Sequence, residues 1–173
     1  MELYHRITRV VGRGGLQVGD DLLQAVRRFG GGNQLFPPGA REGRQFLQIA
    51  DISGSERLLR RLATATFPQV KGYVFQLEWI AAHADEVVEI ERSLGGGRSI
   101  DVVLKDGTFV ELKNYDWSRY SKAQLEISAD EFAKQFRSYQ KHSDQVKFIF
   151  QNSVPNIVRQ ELESLGAIVE VYP

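Results

Sequence analysis

The 173-residue chain contains no cysteine and no long apolar run. Without cysteine it can form no disulfide, no thiolate zinc site and no cysteine nucleophile, although this does not reveal the redox compartment. No apolar stretch approaches the ~18 residues of a membrane helix, and the N-terminal segment MELYHRITRVVGRGG lacks the apolar core of a secretory signal. A hydrophobic fraction of 42% and a charged fraction of 25% instead predict a soluble globular protein.

Patterns that support histidine chemistry or nucleotide binding are also missing. The three histidines, His5, His83 and His142, have no spacing typical of a metal site or of a nucleophile–base pair. The glycine run at 95–97 follows a predicted strand but opens no helix, so it is not a dinucleotide or P-loop cradle. Both kinds of site are therefore poor interpretations of this sequence.

Charge and glycine are distributed unevenly along the chain. Residues 1–71 hold 11 Lys/Arg against 6 Asp/Glu (net +5), whereas residues 72–173 hold 11 against 16 (net −5). Ten of the 16 glycines lie in residues 1–54. These features predict a glycine-rich basic N-terminal arm over 1–67, with short helices near 20–29 and 55–65, the second capped by Ser55. A basic arm favours a polyanionic partner, but an arm that is solvated or docks on the acidic body explains the charge equally well.

From Pro68 onward the pattern predicts an α/β domain over 68–173. A helix begins with Pro68 in its first turn and carries Val70, Val74, Leu77 and Ala81 on one face. The strands are predicted at 86–94, 99–106, 108–115, 145–152 and 167–172, with later helices at 128–141 and 155–166. Ser128 and Glu131 predict a capping box for the first of these later helices. The order α-β-β-β-α-β-α-β predicts a central mixed sheet with helices on both faces.

Three charged residues interrupt the hairpin formed by the second and third strands. Glu111 and Lys113 point to the same side of the third strand, and a turn at Asp106-Gly107 places Asp101 across from Lys113 and diagonal to Glu111. Two carboxylates and a lysine can hold a divalent metal and a polarised water, and oxygen ligands suit magnesium or manganese.

Two further polar residues border apolar helix faces. Glu78 adjoins the stripe of the first core helix and is a candidate fourth group for the metal. Gln135, beside Phe132 and Phe136, is a candidate contact for a phosphate or for Lys113. The alternative for all these charges is a solvated strand face with weak cross-strand ion pairs, or ion pairs at an interface with a partner protein.

At these residues the chain resembles the PD-(D/E)XK nuclease superfamily, which has a restriction-endonuclease-like fold. The signature corresponds to Glu78 in QLEWIA, Asp101 in SIDVVL, and Glu111-Leu112-Lys113 in VELKN, and the resemblance covers roughly residues 68–173. It implies that Asp101, Glu111 and the Leu112 carbonyl bind Mg²⁺ or Mn²⁺, that Glu78 adds to the metal shell and that Lys113 orients the attacking water. The proline that often precedes the aspartate is replaced here by Ile100.

The resemblance also implies a substrate and a set of partners. The activity would be a metal-dependent endonuclease on DNA or RNA, with Gln135 and, one turn later, Tyr139 as further family positions. The candidate nucleic-acid contacts are Arg98, Tyr115, Trp117, Arg119 and Tyr139, with Tyr120 nearby; for the aromatic residues the alternative is a loop that covers the sheet edge.

Several biological settings remain open on this interpretation. A nuclease domain behind a basic stretch resembles the C-terminal toxin modules of bacterial contact-dependent and polymorphic systems. Such a module is secreted or delivered, acts in the cytoplasm and has a cognate immunity protein. The alternatives are a junction-resolving or repair nuclease, or an inactive binding module on the same fold. A homodimer is also consistent with the resemblance, because many nucleases of this fold are dimeric.

Overall fold

The computed structural model describes residues 41–173, which form five α-helices, one short 3-10 helix and five strands. The predicted helix at 20–29 lies outside the described residues. The described chain falls into two compact units, residues 41–91 and residues 92–173, and passes from one to the other within strand β1. This division lies further along the chain than the predicted boundary between 67 and 68.

The first unit consists of three helices and the beginning of β1. The helices are α1 (Arg41–Ile49), α2 (Ser55–Thr64) and α3 (Phe67–Ala82), and β1 spans Val87–Gly95. Pro68 lies in the first turn of α3, as predicted. On α3, Val70 and Leu77 are buried as predicted, but Val74 and Ala81 are only partly buried. The buried surface extends instead around the helix to Phe75, Trp79 and Ile80.

A glycine caps the N-terminus of α2, and the prediction that Ser55 caps this helix is wrong. Ser55 is the first helical residue, and Gly54 is the cap, with φ at +89°. The backbone of β1 passes close to this turn, where the Ile90 N–H donates to the Ser53 carbonyl at 2.8 Å. A β-carbon on Gly54 would lie 1.8 Å from the Ile90 carbonyl oxygen. Glycine is required here for both its left-handed conformation and its lack of a side chain.

The second unit contains the remaining elements in the predicted order. They are β2 (Arg98–Leu104), β3 (Phe109–Lys113), a 3-10 helix (Trp117–Arg119), α4 (Lys122–Tyr139), β4 (Val146–Gln151), α5 (Asn156–Ser164) and β5 (Ile168–Tyr172). From α3 to β5 the chain therefore reads α-β-β-β-α-β-α-β. The fold is α/β.

The five strands form one mixed open sheet in the order β1-β2-β3-β4-β5. β2 and β3 are antiparallel, whereas β3, β4 and β5 run parallel to one another. Parallel neighbours require a crossover connection, and α4 and α5 supply the two crossovers. Both helices pack in the same hydrophobic core with Phe148 and Val169. Within residues 92–173 these two helices cover one face of the sheet. The prediction of helices on both faces also involves α3 of the first unit and stays a prediction.

Helix α4 begins six residues earlier than predicted. Ser121 is its cap: the Gln124 N–H donates to Ser121 Oγ at 3.3 Å, and the Ser121 N–H donates to Gln124 Oε1 at 2.8 Å. Ser128, the predicted cap, lies inside the helix and is buried. The pattern Ser-x-x-Gln and the pattern Ser-x-x-Glu both describe a capping box, and the earlier one is used.

Candidate functional site

A three-residue loop sets the register of the hairpin that carries the charged residues. The Leu104 N–H donates to the Thr108 carbonyl at 3.0 Å, so residues 105–107 form the loop, with Gly107 at φ +87°. Asp106 accepts the Thr108 N–H at 2.9 Å, and this bond lowers the Asp106 pKa.

The register places the two carboxylates opposite each other. Val102 pairs with Val110, so the next position of each strand brings Asp101 across from Glu111. The prediction that Asp101 lies roughly across from Lys113 is therefore wrong, because that pairing would need a turn centred on Gly107, whereas the turn is centred on Asp106. The Asp101 carboxylate accepts the Leu112 backbone N–H at 2.8 Å. This side-chain bond fixes Asp101 at the end of the regular β2–β3 ladder.

Glu111 is the most enclosed charge of the site. It is 5% exposed, and its carboxylate accepts three side-chain hydrogen bonds. Lys113 Nζ and Gln135 Nε2 donate to Oε1 at 2.6 and 3.0 Å, and the Tyr139 hydroxyl donates to Oε2 at 2.9 Å. A buried carboxylate is stable only when it is paired and hydrogen-bonded. Helix α4 supplies two of these three donors, so the helix fixes the orientation of Glu111.

Lys113 is held between two carboxylates and an aromatic ring. Its side chain is 12% exposed, and Nζ lies 5.2 Å from the centre of the Phe132 ring. Burial alone lowers a lysine pKa, but the charges of Glu111 and Asp101 outweigh it, so the Lys113 pKa is raised. Lys113 is therefore a fixed cation at neutral pH, suited to stabilising negative charge rather than to accepting a proton.

Tyr139 lies inside the protein and serves the site through its hydroxyl. The residue is 1% exposed, and its hydroxyl lies 3.2 Å from the Ser99 carbonyl as well as 2.9 Å from Glu111. Burial first, and then the negative charge of Glu111, raise the Tyr139 pKa, so the hydroxyl keeps its proton. The predicted contact of Tyr139 with nucleic acid does not fit so buried a ring. Its position indicates instead that it orients Glu111.

The predicted aromatic contacts form a cluster after β3. Tyr115 and Trp117 stack with ring centres 4.9 Å apart and planes 17° apart, and Tyr120 meets both rings edge-on. The Trp117 indole N–H donates to the Ser153 carbonyl at 3.1 Å. Trp117 also lies against Phe150, with ring centres 6.1 Å apart. The tryptophan is therefore anchored at the carboxyl end of the interior strand β4.

The remaining predicted residues lie at separate places. Arg98 is exposed and donates to the Ser138 hydroxyl at 2.6 Å, which fastens the start of β2 to α4. Arg119 is exposed at the end of the 3-10 helix. Glu78 lies on α3 in the first unit, where its carboxylate forms an ion pair with Arg41. The role of Glu78 in a metal shell stays a prediction.

The oxygen donors of the site fit a divalent metal with few protein ligands. Residues 41–173 contain no group of three or more His, Asp or Glu side chains arranged to hold a metal ion. Asp101 and Glu111 nevertheless supply two adjacent carboxylates, and Leu112 a backbone carbonyl, on the same hairpin. Mg²⁺ commonly binds through one or two carboxylates and keeps several waters. The donor set therefore suits magnesium or manganese.

Sequence reasoning missed two residues that shape the site. Phe132 was assigned to the core face of its helix, but its ring also lies beneath the Lys113 ammonium. Ser138 was not singled out, yet it is buried and accepts the hydrogen bond of Arg98. The spacing of Phe132 from Gln135 and of Gln135 from Ser138, one helical turn each, was the available signal.

Comparison with known proteins identifies no relative of this chain. No protein family, no curated protein and no solved structure matches the chain. Among residues 41–173, none of the helices has the length and apolar character needed to cross a membrane. The chemistry of the hairpin site is therefore the basis for a functional proposal.

Proposed function

We propose that the protein is a divalent-metal-dependent nuclease that hydrolyses phosphodiester bonds in DNA or RNA. The observation that carries the proposal is the arrangement of Asp101, Glu111 and Lys113 on one hairpin, where two carboxylates face each other and Lys113 donates to Glu111 while both carboxylates raise its pKa. The element order from α3 to β4, with β3 and β4 parallel, is compatible with the restriction-endonuclease-like order that the sequence resemblance implies.

The residues of the site have distinct roles on this proposal. Asp101, Glu111 and the Leu112 carbonyl would hold Mg²⁺ or Mn²⁺, with Glu78 as the further ligand that the resemblance suggests. The metal supplies charge neutralisation at the phosphate and a more acidic water. Lys113 holds its positive charge beside the carboxylates, where it can orient that water and stabilise charge that develops on the phosphate. Gln135 and Tyr139 keep the Glu111 carboxylate in place.

The proposal extends to the biological setting that the sequence suggests. A bacterial toxin domain that is delivered to a target cell would act in the cytoplasm and would be neutralised by a dedicated immunity protein. Arg98 and Arg119, both exposed, are the candidate phosphate contacts. A junction-resolving or repair nuclease uses the same chemistry, and a homodimer is compatible with either role.

A second candidate is a binding module on the same fold that does not cleave. One observation favours it: both oxygens of Glu111 accept hydrogen bonds from side chains of the protein itself, namely Lys113, Gln135 and Tyr139. A polar network that is satisfied internally can persist for structural reasons alone. Cleavage and metal binding decide between the two candidates.

The test is cleavage of plasmid DNA and of bulk tRNA with Mg²⁺ or Mn²⁺ and with chelator. We expect metal-dependent cutting by the full chain, reduced at least about 10²-fold in Lys113→Met, because an aimed charge at the reacting centre is worth that much. The methionine keeps an apolar stem over Phe132 and so preserves packing. Asp101→Asn and Glu111→Gln should also lose activity.

The matched control is Lys105→Ala, which removes an exposed lysine from the loop of the same hairpin. It should cleave at the wild-type rate. Wild-type-like cleavage by Lys113→Met would rule out the proposed site. No cleavage, together with no binding of Mg²⁺ or Mn²⁺ by calorimetry, would leave the binding module as the better interpretation.

A further inference from the structure

One aromatic side chain next to the site packs against its neighbours and yet keeps an exposed surface. Tyr115 is 36% exposed and is the most exposed of the three clustered rings Tyr115, Trp117 and Tyr120. Trp117 is fixed by its hydrogen bond to the Ser153 carbonyl and by its contact with Phe150. A loop that covers the end of the sheet explains Trp117, but it does not require Tyr115 to keep 36% of its surface exposed.

Tyr115 is also rigidly supported. Its ring is stacked on Trp117, with centres 4.9 Å apart, and it meets Phe132 edge-on, with centres 5.6 Å apart. The Trp117 ring that supports Tyr115 is itself fixed by a hydrogen bond. A ring held in this way loses little conformational entropy when a ligand stacks on it. The ring is therefore preorganised as a flat apolar surface.

Phe132 connects this surface to the charged site. The centre of its ring lies 5.6 Å from the Tyr115 ring centre and 5.2 Å from Lys113 Nζ. Burial raises the Tyr115 pKa and the positive charge of Lys113 opposes this rise, as expected for neighbouring groups. Tyr115 and Lys113 thus lie on the same Phe132 ring, so a base on Tyr115 and a phosphate beside Lys113 would belong to one short stretch of a nucleic-acid strand.

We propose that Tyr115 stacks an unpaired base beside the phosphate that Lys113 contacts, and that the substrate is therefore single-stranded nucleic acid or a duplex with an unpaired nucleotide. The inference rests on the proposed nuclease function, because that function places a phosphate at Lys113. In a closed duplex the base faces are already stacked on each other and cannot meet a side chain. Proteins that bind single strands use exposed aromatic rings in this way, without reading the base identity.

The experiment measures binding separately from cleavage. A fluorescently labelled single-stranded oligothymidylate and a blunt duplex of equal length are titrated with the full chain in chelator, and anisotropy is recorded. Tyr115→Ala removes the ring, whereas the matched variant Tyr115→Phe keeps the ring and removes only the hydroxyl. Circular dichroism confirms that both variants are folded. Cleavage of both substrates with Mg²⁺ is then compared.

We expect wild type and Tyr115→Phe to bind the single strand in preference to the duplex. Tyr115→Ala should bind the single strand roughly 5- to 150-fold more weakly, which is the loss of affinity expected when one stacked base is lost. Equal binding of both substrates, unchanged binding by Tyr115→Ala or no binding at all would overturn the inference.

The two proposals fail in different ways. Ring-dependent binding without cleavage would support the stacking role and count against the nuclease. Metal-dependent cleavage of duplex that Tyr115→Ala leaves unchanged would support the nuclease and overturn the stacking role.

Discussion

Replacing Tyr139 with phenylalanine removes one hydroxyl from the centre of the charged network and leaves the ring in place. The hydroxyl has one proton and two acceptors, Glu111 Oε2 at 2.9 Å and the Ser99 carbonyl at 3.2 Å. The shorter contact is to the charged acceptor, so the bond that is lost is a buried, charge-assisted one.

The structure sets the size of the expected loss. Breaking a buried ion pair outright costs about 3–5 kcal/mol, because a charge is left without a partner. In Tyr139→Phe the Glu111 carboxylate keeps Lys113 and Gln135 on Oε1. The cost should therefore be that of one hydrogen bond to a charged group, about 2 kcal/mol. The melting temperature should fall by roughly 4–8 °C for a chain of this size.

Urea unfolding followed by tryptophan fluorescence measures this change. The control is Tyr73→Phe on α3, where the tyrosine is only partly buried, and a change within about 0.5 kcal/mol is expected there. Combining Tyr139→Phe with Glu111→Gln should give less than the sum of the two losses, because the residues share one bond. A Tyr139→Phe variant as stable as wild type would refute the assignment of this hydroxyl to Glu111.

Two further predictions concern stability alone. Gly54→Ala should lower the free energy of unfolding by about 2 kcal/mol or more, because the residue has φ +89° and the new methyl group would meet the Ile90 carbonyl. Gly72→Ala lies in open space on α3 and should instead stabilise the protein by about 0.5–1 kcal/mol. Urea titration of both variants measures the difference. Stability should also decline at alkaline pH, because the folded-state pKa values of Tyr139 and Lys113 are raised above 10.0 and 10.5. Above those values the unfolded chain releases protons that the folded chain retains, so stability is complete below about pH 10 and is lost above it. Urea midpoints between pH 8 and pH 11 should fall less steeply for Tyr139→Phe, and an identical slope would contradict the assignment.

The elements of the second unit were largely predictable from local sequence. Runs of β-branched residues bounded by glycine and by Asp106-Gly107 placed β2 and β3 within a few residues of their true bounds. Pro155 and Gly166 bracketed α5 for the same reason, since each is favoured at one end of a helix. Local signals of this kind depend only on neighbouring residues, which the sequence displays directly.

The start of α4 and the register of the hairpin could not be predicted, because the sequence offers competing local signals for each. Two serines, Ser121 and Ser128, each precede a capping partner, and only about two additional turns of helix distinguish the two possible starting points. The register of the hairpin depended on the size of its loop: a two-residue loop at Asp106-Gly107 would pair Asp101 with Leu112, whereas the three-residue loop pairs it with Glu111.

The spacing of Tyr139 places it on the same helix face as Phe132 and Phe136, but it does not show that its hydroxyl donates to Glu111. An aromatic residue on a helix stripe packs in the same way whether or not its hydroxyl meets a carboxylate. The network around Glu111 depends on contacts between residues 24 and 28 positions apart in sequence, and the sequence does not display such contacts.

The hairpin has a consequence for the order in which charges meet during folding. Closing a three-residue loop brings Asp101 to Glu111, whereas Tyr139 lies 28 positions from Glu111 in the sequence. Loop-closure entropy rises with the length of the closed segment, so the two carboxylates can approach before α4 delivers its donors. Lys113 travels on the same strand as Glu111, two positions away. Lys113 is thus placed to offset the repulsion between the two carboxylates as soon as the strands pair, before the donors of α4 arrive.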